Sequence, residues 1–286
     1  MSRNAQRAEP LPAPLFNLPM TLASGQVFHW LPDGNGFAGV IGDRPVRVEQ
    51  QGECLWVTPN DATTREEVCR YFALDHPLET IYATFPDDPA MREALAFCRG
   101  LRLIRQPLWE CVATFITSAM KQVKHISQIS HTLRQRYGRP VTAPWSGQTL
   151  YAYPAPEALA EQASEAALRE CGLGFRAGKL YGAAVAVARG EVDLQALEHE
   201  PDDVVFKALC RLPGVGPKIA HCILLFAYGR YAAFPIDVWI ERVLRHHYFP
   251  RRRKALTLPQ LQRFVAQYFG PYGGYAQQYL FHHARN

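Results

Sequence analysis

Across 286 residues, 48% of them hydrophobic and 20% charged, the chain has the composition of a globular protein that buries one large core or two modest ones. Seven cysteines, an odd number with no C-x-x-C pair, argue against a disulfide framework and against a clustered zinc or iron–sulfur site. No apolar run reaches the roughly 18 residues of a membrane span, and the first ten residues lack the apolar stretch of a secretion signal, so a cytoplasmic protein is expected. A formal charge of +5 suits a polyanionic partner without singling one out.

Residues 1–14 read as a loose polar tail. From Leu15 to about Pro59, short apolar runs are broken by Gly, Asp and Asn. The runs at 26–30, 37–41, 45–48 and 55–57 read as strands of a small antiparallel sheet, with Asp33-Gly34-Asn35-Gly36 as a hairpin turn. Past Thr63 the apolar period becomes helical, and Thr64-Arg-Glu-Glu67 resembles a capping box. Helices are expected near 89–99, 107–137 (more than one), 156–170, 175–190, 202–211, 217–228, 237–247 and 258–269. The fold class is therefore α+β, mostly α: a tail over 1–14, an N-terminal sheet domain over 15–100, and a helical body over 101–286 that contains a helix-hairpin-helix motif.

That motif is Leu209-Cys-Arg-Leu-Pro-Gly-Val-Gly-Pro-Lys-Ile-Ala220. Asp202 and Asp203 can cap its first helix. Pro213 stops that helix, Gly214 and Gly216 supply two permissive backbone positions around Val215, and Pro217 starts the next. Backbone N–H groups at such a turn can bind a phosphate, and bare glycines let a DNA backbone come close. The plainer reading is a simple turn between packed helices. Lys218 follows at once. An ordinary lysine has a pKa near 10.4, so a nucleophile at neutral pH needs it lowered by about 3.4 units, roughly 4.6 kcal/mol, in a desolvating pocket. Without such a pocket Lys218 merely contacts phosphate. In Phe234-Pro-Ile-Asp-Val-Trp-Ile240, Asp237 is placed to cap a helix. A carboxylate held there beside a nucleophilic lysine can also accept its proton or stabilise a cationic sugar.

Taken together these motifs resemble the helix-hairpin-helix/Gly-Pro-Asp DNA glycosylases, and among them the 8-oxoguanine DNA glycosylase (Ogg) family. The resemblance covers nearly the whole chain. Besides 212–218 and Pro235-Ile-Asp-Val238, it includes Ser24-Gly-Gln-Val-Phe-His-Trp30, Cys171-Gly-Leu-Gly-Phe-Arg-Ala177 and Tyr275-Ala-Gln-Gln-Tyr-Leu-Phe281, the last on a C-terminal helix. The resemblance implies a bifunctional enzyme that excises 8-oxoguanine from duplex DNA and nicks the strand, as a monomer and without a prosthetic group or a side-chain metal site. Lys218 would attack C1′ of the flipped nucleotide and Asp237 would assist proton transfer. Gly25 would offer its carbonyl to N7–H of the oxidised base, Phe281 and Cys222 would sandwich it, and Gln277 would bind its Watson–Crick edge. Gly214, Val215 and Gly216 would hold a phosphate.

The sequence departs from the eukaryotic pattern where the opposite strand is read. Met120, Lys121 and Gln122 stand for an Asn triplet, His125 for an Arg and Phe175 for a Tyr, while Arg176 is kept; Trp239 replaces a His after the aspartate. A Met wedge fills the gap left by a flipped base but is a poor hydrogen-bond partner, so the preference for cytosine opposite the lesion is expected to be relaxed. No cysteine follows Cys222, unlike the four-Cys iron–sulfur loop of endonuclease III. An alkylpurine glycosylase is the nearest rival reading, although that branch usually lacks the lysine; a non-catalytic DNA-binding module is another. The basic run 251–254 reads as a surface loop, and the pairs His246–His247 and His282–His283 as incidental.

Overall fold

A computed structural model describes residues 9–118, 122–251 and 256–286. The N-terminal part begins with β1 (Leu11–Pro12) and the short helix α1 (Leu18–Ala23). It continues with β2 (Leu31–Asp33), β3 (Gly36–Ile41), β4 (Arg44–Gln51) and β5 (Cys54–Thr58). These strands form one antiparallel sheet in the order β1-β5-β4-β3-β2. The alternation expected of a half-buried sheet is present: Val46, Val48, Leu55 and Val57 face inward. They pack on Val68, Tyr71 and Phe72 of α2 (Ala62–Tyr71) and its end.

The helical body comprises α3 (Leu78–Tyr82), α4 (Pro89–Cys98), α5 (Leu108–Ser118) and α6 (Val123–Tyr137), then the hairpin of β6 (Pro140–Thr142) and β7 (Thr149–Tyr151). After it come α7 (Pro156–Gln162), α8 (Glu165–Leu168), α9 (Ala177–Ala188), α10 (Asp202–Leu209) and α11 (Pro217–Phe226). The chain closes with α12 (Val238–Val243), α13 (Leu258–Tyr268) and α14 (Gly273–Arg285). α5 and α11 are buried along most of their lengths, and α9, α11 and α14 surround a second core separate from that of the sheet. No helix among the described residues is long and apolar enough to cross a membrane.

Mostly helical with one small N-terminal sheet, the architecture is the one the periodicity predicts, but several local expectations are corrected. Residues 26–30 form no strand. Gln26, fully buried, is fixed by side-chain bonds instead: its Nε2 donates to Ser24 Oγ (2.8 Å) and to the Arg102 carbonyl (2.9 Å), and its Oε1 accepts from the Ile104 amide (2.8 Å). Helix α2 starts before Thr64, because Asp61 has the acceptor in the right place; its Oδ1 takes the Thr64 amide at 2.9 Å. Pro201 precedes α10, so Asp202 and Asp203 lie in its first turn, where they favour the helix dipole rather than cap it.

Packing crosses the expected domain limits. Residues 11–12, expected in the tail, pair with β5, and Ala13 donates its amide to the Glu53 carbonyl. Helix α4, expected with the sheet, packs on α14 in the helical core, while Ile104 packs in the core of the sheet. Helices α1 and α3 and the β6–β7 hairpin carried too few residues to show a period.

Candidate active site

Helix α10, the turn 210–216 and helix α11 make the helix-hairpin-helix. Gly214 stands at φ +89°, a region open to glycine, and a Cβ there would lie 2.9 Å from Lys179 Cβ and 3.2 Å from Ile116 Cγ2. Gly216 differs: it is extended, at φ −98° and ψ −179°, and nothing lies within 4 Å of where its Cβ would be. The second glycine is thus not required by its dihedrals. It leaves the outer face of the turn bare at the N-terminus of α11, where amides point outward. Lys179 on α9 lies against this hairpin and is exposed, a neighbour that only tertiary packing supplies.

Lys218 occupies the first turn of α11, half-buried. Its ammonium sits 5.4 Å from the ring centroid of Phe115, which also stacks on Phe226 at 5.4 Å and 9°. One turn further on, Cys222 is 3% exposed. Burial pushes the Cys222 thiol up, the adjacent Lys218 ammonium pulls it back down, and Asp237 pushes it up again. Lys218 and Asp237 therefore both act on the buried Cys222 thiol. Asp237 caps α12: its Oδ1 accepts from the amides of Trp239 (3.0 Å) and Ile240 (2.8 Å), which leaves Oδ2 outside the cap. The extended segment 234–236, buried against Phe269 and Gly273, delivers the carboxylate to this point.

A second group of expected residues gathers where the 24–26 segment meets α14. Gly25 has φ +84°. A Cβ on it would stand 2.8 Å from Arg285 Nη1 and 3.5 Å from Phe281 Cε1. The segment is held on both sides: Gln278 Nε2 donates to the Ser24 carbonyl at 2.9 Å, and Gln106 Nε2 donates to the Gln26 carbonyl at 2.9 Å. Gln277 is 4% exposed and its Oε1 has no hydrogen-bond partner, an unusual state for a buried amide. Helix α14 reaches the floor of the site by packing Gly274 on Leu225 of α11, where a Cβ would stand 2.2 Å from Leu225 Cδ1.

Of the remaining expected residues, Gln122, His125, Phe175 and Trp239 are exposed. Gln122 precedes α6 without capping it, and His125 is exposed on that helix's first turn. Phe175 is 68% exposed; the Arg176 guanidinium lies 4.4 Å from its ring centroid while the rest of Arg176 is buried, and burial lowers its pKa. Trp239 is 42% exposed, with Arg242 at 5.5 Å from its ring. Met120, Lys121 and the basic run at 252–254 lie outside the described residues. Sequence reasoning missed Phe115, Lys179 and Arg285. None belongs to a local motif; each is brought in by helix packing.

Comparison with known proteins gives a consistent result. Residues 10–112 match the family model described as 8-oxoguanine DNA glycosylase, N-terminal domain. A probable N-glycosylase/DNA lyase of Methanothermobacter thermautotrophicus is 30% identical over 96% of this chain and 95% of its own length. The solved structure of MBOgg1 with a low-affinity DNA ligand is 33% identical, with a TM-score of 0.88 over 94% of this chain and 92% of that one. The Clostridium acetobutylicum 8-oxoguanine glycosylase/lyase, solved with double-stranded DNA containing cytosine opposite 8-oxoguanine, is 29% identical. Its TM-score is 0.87, and the match again covers 94% of this chain and 92% of that one.

Proposed function

The chain belongs to the 8-oxoguanine DNA glycosylase family of N-glycosylase/DNA lyases, and on that footing we propose that Lys218 is the nucleophile that removes 8-oxoguanine from duplex DNA. The protein is a DNA N-glycosylase with lyase activity at abasic sites. The observation that carries the residue assignment is the meeting of Lys218, Cys222 and Asp237 at the start of α11 and α12.

In this reading the hairpin glycines and the N-terminus of α11 grip a phosphate beside the lesion, and the nucleotide turns out of the stack. Lys218 Nζ, having lost a proton, attacks C1′. The C1′–N9 bond breaks, its electron pair leaves with the base, and Asp237 Oδ2 supports the positive charge that develops on the sugar. The lysine adduct opens the sugar to a Schiff base. Loss of a C2′ proton then expels the 3′ phosphate, which nicks the strand. Gly25, Phe281, Cys222 and Gln277 form the base pocket; the unpartnered Oε1 of buried Gln277 supports its part, since a base edge would satisfy it. Phe175, Arg176, Gln122, His125 and Trp239 face the duplex, Met120 is assigned to the same DNA-binding role from its sequence position, and the enzyme acts as a monomer in the cytoplasm.

The test is borohydride trapping on a duplex with one 8-oxoguanine opposite cytosine, using wild type and Lys218→Gln. A covalent adduct with wild type that the variant lacks supports the assignment. Excision that leaves alkali-labile sites without any adduct overturns it and favours a monofunctional enzyme for alkylated purines. For the opposite strand, Met120 stands in place of an Asn and its thioether is a poor hydrogen-bond partner, so the preference for cytosine is under about a hundredfold, or roughly 2.7 kcal/mol. Excision rates opposite C, A, G and T check this; a larger ratio refutes it.

A further inference from the structure

Arg285 lies in the last turn of α14, one residue from the end of the chain. Its guanidinium carbon is 5.0 Å from the centroid of the Phe281 ring, and its Nη1 lies against Gly25, as the 2.8 Å separation from a Cβ built there shows. It thus touches two of the four residues assigned to the base pocket. No described carboxylate lies within ion-pair distance of it, and it donates none of its five N–H bonds to the described residues. The ring attraction alone would hold a guanidinium near Phe281; what sets Arg285 apart is that its Nη1 also lies against Gly25 with its N–H donors unused. Elsewhere on the surface Arg44, Arg47, Arg92 and Arg99 have carboxylate partners.

The chemistry of the oxidised base gives such a donor a task. Guanine carries a lone pair at N7 and a C–H at C8. In 8-oxoguanine the adjacent atoms become a donor, N7–H, and an acceptor, the C8 carbonyl. A carbonyl at Gly25 meets only the first of these. We propose that Arg285 is a further specificity-determining residue, whose guanidinium, seated on the Phe281 ring beside Gly25, donates to the C8 carbonyl of an oxidised purine. Gly25 and Arg285 then form an acceptor–donor pair that matches the donor–acceptor pair of the lesion, and guanine has no acceptor at C8 to engage the second member. The same pairing fits other purines with a carbonyl at C8. Arginine suits this position better than lysine, because its planar group lies on an aromatic face while its N–H bonds point along the ring plane. The proposal rests on the base-pocket reading above.

The experiment compares wild type, Arg285→Ala and Arg285→Lys under single-turnover conditions on two duplexes, one with 8-oxoguanine and one with a preformed abasic site, which has no base to read. The expected result is a fall of at least tenfold in excision of 8-oxoguanine by Arg285→Ala, about 1.4 kcal/mol. Cleavage at the abasic site changes less than twofold, and Arg285→Lys recovers part of the loss. Excision that is unchanged or faster in Arg285→Ala overturns the proposal; a faster rate would mean that the guanidinium fills the place of the base. A parallel fall on both duplexes also overturns it, in favour of a general DNA contact. A wild type that cuts the abasic site but leaves 8-oxoguanine in place overturns the underlying reading, and the proposal with it.

Discussion

At Gly214 the backbone angle and the crowding by Lys179 and Ile116 act together, whereas at Gly216 neither applies. Alanine at 214 takes on a left-handed conformation worth about 1–2 kcal/mol and a contact with two fixed side-chain carbons. Gly214→Ala is therefore expected to lose roughly 2 kcal/mol or more of stability in urea unfolding. Gly216→Ala, in extended backbone with open space above it, stays within about 0.5 kcal/mol of wild type. Both weaken binding to duplex DNA in an anisotropy titration. If Gly216→Ala binds as wild type does, the bare face of the hairpin has no role in phosphate contact.

On the scale of one helix, Asp237 caps α12 and is the carboxylate proposed to assist Lys218. The cap uses Oδ1 alone. Asparagine keeps an oxygen for the cap but cannot carry charge or accept a proton, whereas alanine removes both functions. Asp237→Asn is expected to unfold within about 0.5 kcal/mol of wild type, and Asp237→Ala to lose about 1 kcal/mol. Both should excise the base 10²–10⁴-fold more slowly, the usual range for a lost proton-transfer group. Urea unfolding and single-turnover excision, measured on both variants, separate the roles; full activity in Asp237→Asn would leave the residue as a cap only.

Across the whole molecule the sheet and the helical body are joined through buried polar groups. Ser127 on α6 donates to the Phe28 carbonyl at 2.8 Å. Next to it, buried His29 brings Nδ1 to 3.4 Å from Glu110, which also pairs with Arg134. Burial, then the Arg134 charge, hold the His29 imidazole well below its ordinary value of 6.5. Burial likewise lowers His76, to about 4, and His131, His221 and His282. Each of these groups binds a proton more readily in the unfolded chain. Below about pH 6.5 the unfolded state therefore takes up more protons than the folded one, and stability falls as pH falls, by up to about 1.4 kcal/mol per pH unit for each histidine. Burial raises Glu110, which works in the opposite sense nearer its own ordinary value of 4.5. The thermal midpoint is accordingly expected to drop between pH 7.5 and 5.5, and His29→Gln to flatten that drop. A midpoint that holds or rises over this interval would contradict the assignment of these imidazoles as neutral in the folded state.

Local chemistry in the chain determined the class of fold, the helix-hairpin-helix and the positions of Lys218 and Asp237. Proline and glycine punctuate the hairpin, an aspartate caps α12, and the apolar period distinguishes β4 and β5 from the helices; each is a property of a few consecutive residues. The family resemblance carried Gly25, Cys222, Gln277 and Phe281 forward as single positions. What brings Gly25 beside Phe281, and Phe115 beneath Lys218, is the crossing of elements far apart in sequence, fixed by contacts such as Gln278 to Ser24 and Gly274 to Leu225. The same holds for the failed strand at 26–30, whose apolar residues suit a ladder but whose Gln26 finds its partners at 102–106. Tertiary structure alone placed Arg285 beside Gly25, since nothing within four residues of it, save Phe281, marks it out from any other arginine.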